Sequence, residues 1–294
     1  MASMRDIKRR KQSVESTQQI TKAMKLVSTV KLQRAKQRAE QSQSYFKCIY
    51  ETVNSILARS GNIKHRYLDA NESDKKAVIM ITGNRGLAGG YNANIVKLIT
   101  KDDRFTTDNT AIYAVGKKGR DLMNRYGYEG KADYSDVVEE PIYNDAMDIA
   151  RDLLKAYEAG EIGEIYLAYT FFKNTVSHQP TLLKLLPVDI ESTKVQAEDE
   201  QADKKEEKII PMNFEVEDTE ALDMIIPKYV TSLIFGGLVE SVASENGARM
   251  QAMDSATNNA TEMIDHLSLL YNRARQGSIT QELTEIIAGA DAIS

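Results

Sequence analysis

The sequence predicts an α/β protein with a long antiparallel coiled coil: helices at the two ends of the chain form a stalk, and a small, mostly parallel α/β domain is inserted between them. Three observations carry this. Residues 7 to 60 contain neither proline nor glycine. From Pro227 to about Gly289 only Gly236, Gly237, Gly247 and Gly277 interrupt a second helical run. Between residues 76 and 190, short β-branched runs alternate with helical patterns, the order that builds a parallel sheet with covered faces. The expected divisions are 1–60 for the first helix, 61–218 for the inserted domain with an acidic connector at 189–218, and 219–294 for the last helix.

In the first helix, Leu32, Ala35, Ala39, Ser42, Phe46, Ile49, Val53 and Ile56 follow one another in steps of three and four. A period of 3.5 keeps one stripe facing a partner helix. At about 1.5 Å per residue the helix reaches on the order of 80 Å, more than a compact domain needs. Gly61 supplies a stop signal. The run KAVIMIT at 76–82 then reads as a buried strand, GNRGLAGGYN as a glycine-rich turn and ANIVKLIT as a helix. AIYAVG at 111–116 and KKGRDLMNRYG repeat the unit, followed by a helix over 143–159 and strands at 164–172 and 181–188. The short link between the last two strands predicts an antiparallel pair.

Residues 189 to 220 carry twelve Asp and Glu against four Lys, with no apolar period before Ile209, and read as an exposed connector. Proline is barred from a helix interior, so the last helix is expected to start or kink at Pro227, leaving residues 219–226 as a separate helical turn. Beyond it, Met253, Ala256, Ala260, Met263, Leu267, Leu270 and Ala274 form a second 3.5-period stripe. Two long helices with unsatisfied stripes most economically pair with each other, placing Phe46 and Val53 against the later helix.

Composition narrows the function classes. Of 294 residues, 42% are hydrophobic and 28% charged, which places the chain in the globular range. A single cysteine, Cys48, excludes an intramolecular disulfide framework and fits a reducing compartment. Three histidines far apart in sequence, His65, His178 and His266, speak against a metal site. The first residues lack a signal peptide's apolar core, and no stretch approaches the roughly 20 apolar residues of a spanning helix, so no membrane insertion is expected. The most apolar candidate, residues 225–239, reads as a packed helix.

The net charge of −5 is unevenly spread, with eleven Lys and Arg among residues 1–38 against Asp6 and Glu15. An acidic partner, or a merely solvated helix face, accounts for that basic segment. Nucleic acid is disfavoured because no aromatic residue that could stack on a base precedes Tyr45. The loop at 83–90 follows a strand and precedes a helix, where backbone N–H groups can cradle a phosphate. It matches neither the P-loop nor the dinucleotide fingerprint, so a tight turn or contact surface is the better reading. No carboxylate pair or nucleophile set can be drawn from the spacing, and Cys48 sits beside stripe residues as a structural thiol. No catalytic site, cofactor or metal is expected.

At the end of the last helix, Arg273, Arg275, Gln276, Thr280, Gln281 and Glu282 crowd together for no reason that heptad logic supplies. Here TQQITKAMKLVSTVKLQRA (17–35) and NRARQGSITQELTEIIAGA (272–290), with GNRGLAGGYN between them, resemble the gamma subunits of the rotary ATP synthase along essentially the whole chain. The resemblance implies a non-catalytic central rotor shaft. Its paired helices would stand within the ring of alpha and beta subunits, and its α/β domain and lower coiled coil would meet the epsilon subunit and the membrane ring of c subunits. It also implies a peripheral position on the cytoplasmic face of a bacterial membrane. Lys22, Met24 and Lys25 match the zone facing an acidic loop of beta; Arg275, Gln276, Thr280 and Glu282 match a polar catch; Arg249 and Met250 lie in a similar contact stretch. The region 196–208 is not the cysteine-bearing insert of chloroplast relatives, so thiol regulation is not expected. A nucleotide-binding α/β module with a coiled-coil interaction stalk is the alternative.

Overall fold

The computed structural model describes residues 4–60, 65–69, 71, 73–175, 177–188 and 218–291. Helix α1 runs Met4–Ser60, followed by β1 (Lys76–Ile81), α2 (Tyr91–Thr100), β2 (Thr110–Val115), α3 (Lys117–Arg125) and β3 (Glu129–Asp133). A short 3-10 turn (Ser135–Val137) leads to α4 (Tyr143–Glu158), β4 (Glu164–Phe172), β5 (His178–Leu186) and α5 (Asp218–Asp291). Gly61 and residues 189–217 of the expected connector lie outside the described residues.

Two compact units divide the chain, one built from Met1–Thr29 with Arg249–Ser294 and the other from Val30–Ala248. In the second unit the strands order as β3-β2-β1-β4-β5. β1 pairs in parallel with β2 and β4, and β2 in parallel with β3, while β4 and β5 run antiparallel as their short link demands. Successive side chains of a strand point to opposite faces, and β1 shows the result. Ala77, Ile79 and Ile81 join α4, the first half of α5 and Val53 of α1 in one core, while Val78 and Met80 join Ile95, Val96, Ile99 and Met123 from α2 and α3 in another. Gly237 of α5 lies so close to the sheet that a Cβ there would stand 2.9 Å from Leu167 Cδ2.

The helix neither starts at Pro227 nor leaves residues 219–226 as a separate turn; α5 is assigned as one helix through that proline. Packing explains the difference. An interior proline costs roughly 3 kcal/mol, whereas burying Leu222 and Ile226, both fully enclosed in the core, gains about 1.5–3 kcal/mol each. A second correction concerns apolar length. By length and composition, part of Thr219–Ala290 is apolar enough to cross a membrane, yet Leu222, Ile226, Tyr229, Val230, Ile234 and Leu238 spend that character on the sheet core.

Candidate functional site

In the first unit α1 and α5 run antiparallel, joined by a ladder of polar side chains. Gln18 Nε2 donates to Thr261 Oγ1 at 2.7 Å, the hydroxyls of Thr21 and Thr257 lie 2.8 Å apart, and Lys25 Nζ donates to Asp254 Oδ1 at 2.6 Å. As one residue number rises by three and four, the other falls by four and three. The two hydroxyls have two protons for these contacts, so one donates across to the other, which in turn donates along its own helix, Thr21 to the Gln18 carbonyl or Thr257 to the Met253 carbonyl. A buried hydroxyl without a partner would be costly.

The ladder revises the sequence stripes. On α1, the 3.5 period does not begin at Leu32 but continues backward through Ser28, Lys25, Thr21 and Gln18, with Thr21 and Ser28 buried. Polar residues hid it. On α5, Met253, Ala260 and Leu267 are buried as expected, but Met263 is 56% exposed. Ala256 is half-buried alongside Thr257, whereas Met263 gives way to the half-buried Ile264. The side chains of Ser42, Phe46 and Ile56 lie outside the described ones; Leu32, Ala35 and Val53 are buried.

The candidate residues fall into two groups. Lys22 is exposed, Met24 half-buried, and Lys25 is engaged by Asp254 of its own chain; Arg249 and Met250, both half-buried, lie on the same stretch of α5 as Asp254. Arg275, Gln276, Thr280 and Glu282 are exposed near the end of α5. The Thr280 hydroxyl donates to the Gln276 carbonyl at 2.9 Å, and Ser278 Oγ to Glu282 Oε1 at 3.4 Å. The two groups sit on different stretches of the helix pair. Around both, Ile20, Leu26, Val27, Ile279, Leu283, Ile286 and Ile287 are among the exposed apolar side chains.

The glycine-rich loop of the second unit is the candidate phosphate cradle, and the N–H at its start, like those of the neighbouring turn that opens α3, is already engaged within the fold. Gly83 N–H donates to Asn92 Oδ1 at 2.8 Å, Lys117 N–H to Asn84 Oδ1 at 3.0 Å, Lys118 N–H to the Gly83 carbonyl at 3.1 Å and Gly119 N–H to Thr82 Oγ1 at 3.0 Å. The Glu245 carboxylate presses on Gly83, where a Cβ would meet Oε1 at 2.6 Å. A buried carboxylate against the start of the loop opposes an anion there. The loop's tip instead presents outward: Leu87, at φ 62°, and Arg85 are exposed, and Glu139 bridges Arg85 and Lys31 of α1 at 3.5 and 3.6 Å. That bridge joins residues 54 and 108 apart, which no spacing rule could pair.

A family model described as ATP synthase matches residues 3–293. The chain is similar to the ATP synthase gamma chain of Lachnoclostridium phytofermentans, with 61% identity over 294 residues and all of both chains covered. It is 40% identical, over 99% of each chain, to a gamma chain from Acetobacterium woodii described as sodium ion specific. Among solved structures it resembles a chain of the Euglena gracilis mitochondrial ATP synthase (TM-score 0.69, 20% identity, 99% of this chain and 94% of that one). A chain from the central stalk and c-ring of the Tetrahymena thermophila enzyme gives a TM-score of 0.57 at 21% identity, covering 81% of this chain and 99% of that one.

Proposed function

Since the chain belongs to the ATP synthase family, as a gamma subunit of the rotary enzyme's central stalk, we propose that it transmits rotation to catalytic subunits and performs no bond chemistry itself. One observation supports this most directly: the helix pair of the first unit carries Ile20, Leu26, Val27, Ile279, Leu283, Ile286 and Ile287 on its outside, about half or more exposed. Apolar surface of that kind marks a site of protein contact. A surrounding ring of alpha and beta subunits is the enclosure we assign to it.

Rotation of an asymmetric shaft shifts each catalytic subunit among its conformations, because each orientation makes different contacts. We assign Lys22 and Met24 to an acidic loop of beta, with Lys25, which pairs with Asp254, shared with that loop. Arg249 and Met250 contact the same region, and Arg275, Gln276, Thr280 and Glu282 form a catch farther along α5. The second unit is assigned to the epsilon subunit and the ring of c subunits, on the cytoplasmic face of a bacterial membrane, where the chain is peripheral. The Glu245 carboxylate set against Gly83 at the start of the glycine-rich loop argues against the nucleotide-binding alternative.

Reconstitution tests the proposal. Alpha and beta subunits should hydrolyse ATP at a steady rate only when this chain completes the assembly, and the isolated chain should show no turnover. Hydrolysis by the isolated chain, or failure to join the ring, would overturn it.

A further inference from the structure

We propose that the first turns of α5, residues 218–226, form a hinged strap, with Pro227 as its hinge and the Asp223 carboxylate as its latch. Proline has no N–H, so the carbonyl of Asp223, four residues earlier, lacks the donor that every interior helical carbonyl ordinarily receives. The same residue is gripped through its side chain. One carboxylate oxygen, Oδ1, lies 3.0 Å from His65 Nε2, 3.0 Å from Arg66 Nε and 2.8 Å from Arg66 Nη2. Where the backbone bond is lost, the side chain makes three.

The partner of the latch is itself anchored. His65 is buried, and its Nδ1 accepts from the Tyr67 N–H at 3.3 Å, which leaves Nε2 to carry the proton and donate to Asp223. The His65 N–H donates to Asp69 Oδ2, the Tyr67 hydroxyl to Glu158 at the end of α4, and the Val188 N–H to the Tyr67 carbonyl. Segment 65–69 is thereby fixed to α4 and to the chain just after β5, and Asp223 clips the strap onto it.

The strap is held by less than the helix that follows it. Within it only Leu222 and Ile226 are fully enclosed, while Glu220, Asp223 and Met224 are exposed. Past the hinge, Tyr229, Val230, Ile234, Leu238, Val239 and Ala243 are buried, and Ser244 Oγ donates to the Thr170 carbonyl at 3.0 Å. Local opening follows such differences in buried contact. The strap therefore opens as a unit while the rest of α5 stays packed, and the latch sets how often.

Hydrogen exchange of the full chain, resolved by residue, tests this. Asp223→Ala should speed exchange at 219–226 at least tenfold and leave 229–243 and β1 unchanged, with Asp223→Asn, which keeps an acceptor, falling between. Pro227→Ala restores the missing donor and should slow exchange at 219–226 toward the rate of 229–243. The proposal is overturned if Asp223→Ala leaves 219–226 unchanged, if it speeds 229–243 or β1 equally, or if Pro227→Ala has no effect on the strap.

Discussion

Lys25 and Asp254 meet at 2.6 Å across two helices whose numbering runs in opposite directions, and they close a ladder that begins at Gln18 and Thr261. The pair fixes the direction of the helices more than it stabilises them. Both side chains are 40–48% exposed, so solvent screens the attraction to at most about 1 kcal/mol. Lys25→Gln should lower stability by no more than that, as read by denaturant midpoint. The antiparallel register has a sharper test in a Cys48→Ser background: Thr21→Cys with Thr257→Cys should oxidise to a crosslink, and Thr21→Cys with Ile264→Cys, one heptad away, should not.

Met24 is half-buried one residue before Lys25. A lysine there adds a cation beside the acidic loop that the proposed function places opposite, a strong attraction in only one rotary position. Met24→Lys should loosen the coupling of ATP hydrolysis to ion pumping in membrane vesicles while leaving assembly intact. Equal coupling in both proteins would remove this contact zone.

Gln276 and Glu282 are exposed and stand outside the buried stripe of α5. Hydrogen bonds to charged partners are worth roughly 1.5–3 kcal/mol, enough to hold one orientation and still release it. Gln276→Leu or Glu282→Leu should reduce ATP turnover of the assembled complex several-fold, with the helicity of the isolated chain unchanged by circular dichroism.

Gly116, between β2 and α3, has φ 115°, and a Cβ there would lie 2.1 Å from the Thr82 carbonyl oxygen. Neither the backbone nor that carbonyl can yield cheaply. Gly116→Ala should cost about 3 kcal/mol or more in stability, by strain and overpacking together, measured by urea unfolding.

His178 opens β5 with Nε2 buried and without a hydrogen-bond partner among the described residues. Burial lowers its proton affinity below the ordinary imidazole value of 6.5. The unfolded chain then binds the proton more tightly, so this group removes stability as pH falls through 6.5 toward its folded value, and not above that window. His178→Gln should shrink the loss of stability between pH 7.5 and pH 5.5, followed by denaturant midpoints at each pH.

Legibility in the sequence tracked how far apolar patterning decided the structure. β4 was read to the residue, because EIYLAYTFF is a β-branched and aromatic run bounded by turn residues. β3 went unread: EGKAD is a polar, mostly exposed edge strand whose place beside β2 comes from backbone pairing, with only Ala132 packed on the core and Asp133 paired with Arg120. At Pro227 the helix start that the local rule offered gave way to the burial of Leu222 and Ile226, and the helix runs through the proline. The helix pairing was legible as a principle, but the ladder of Gln18, Thr21 and Lys25 was not, because polar residues at stripe positions resemble solvent-facing ones until their partners 229 to 243 residues away are known. Of the candidate contact residues, those at 275–282 showed in the sequence as a polar cluster, but only family resemblance gave the cluster a role, since nothing in a helical period does.

That the first unit takes residues from both ends of the chain sets an order of events during synthesis. Its opening segment, Met1–Thr29, leaves the ribosome before the whole of Val30–Ala248, and its partner Arg249–Ser294 comes last. At about 5–20 residues per second, the wait is on the order of ten to forty-five seconds. An apolar stripe left bare for that long would invite association with neighbouring nascent chains. Gln18, Thr21 and Lys25 let the early helix remain solvated until the last helix emerges to complete their hydrogen bonds.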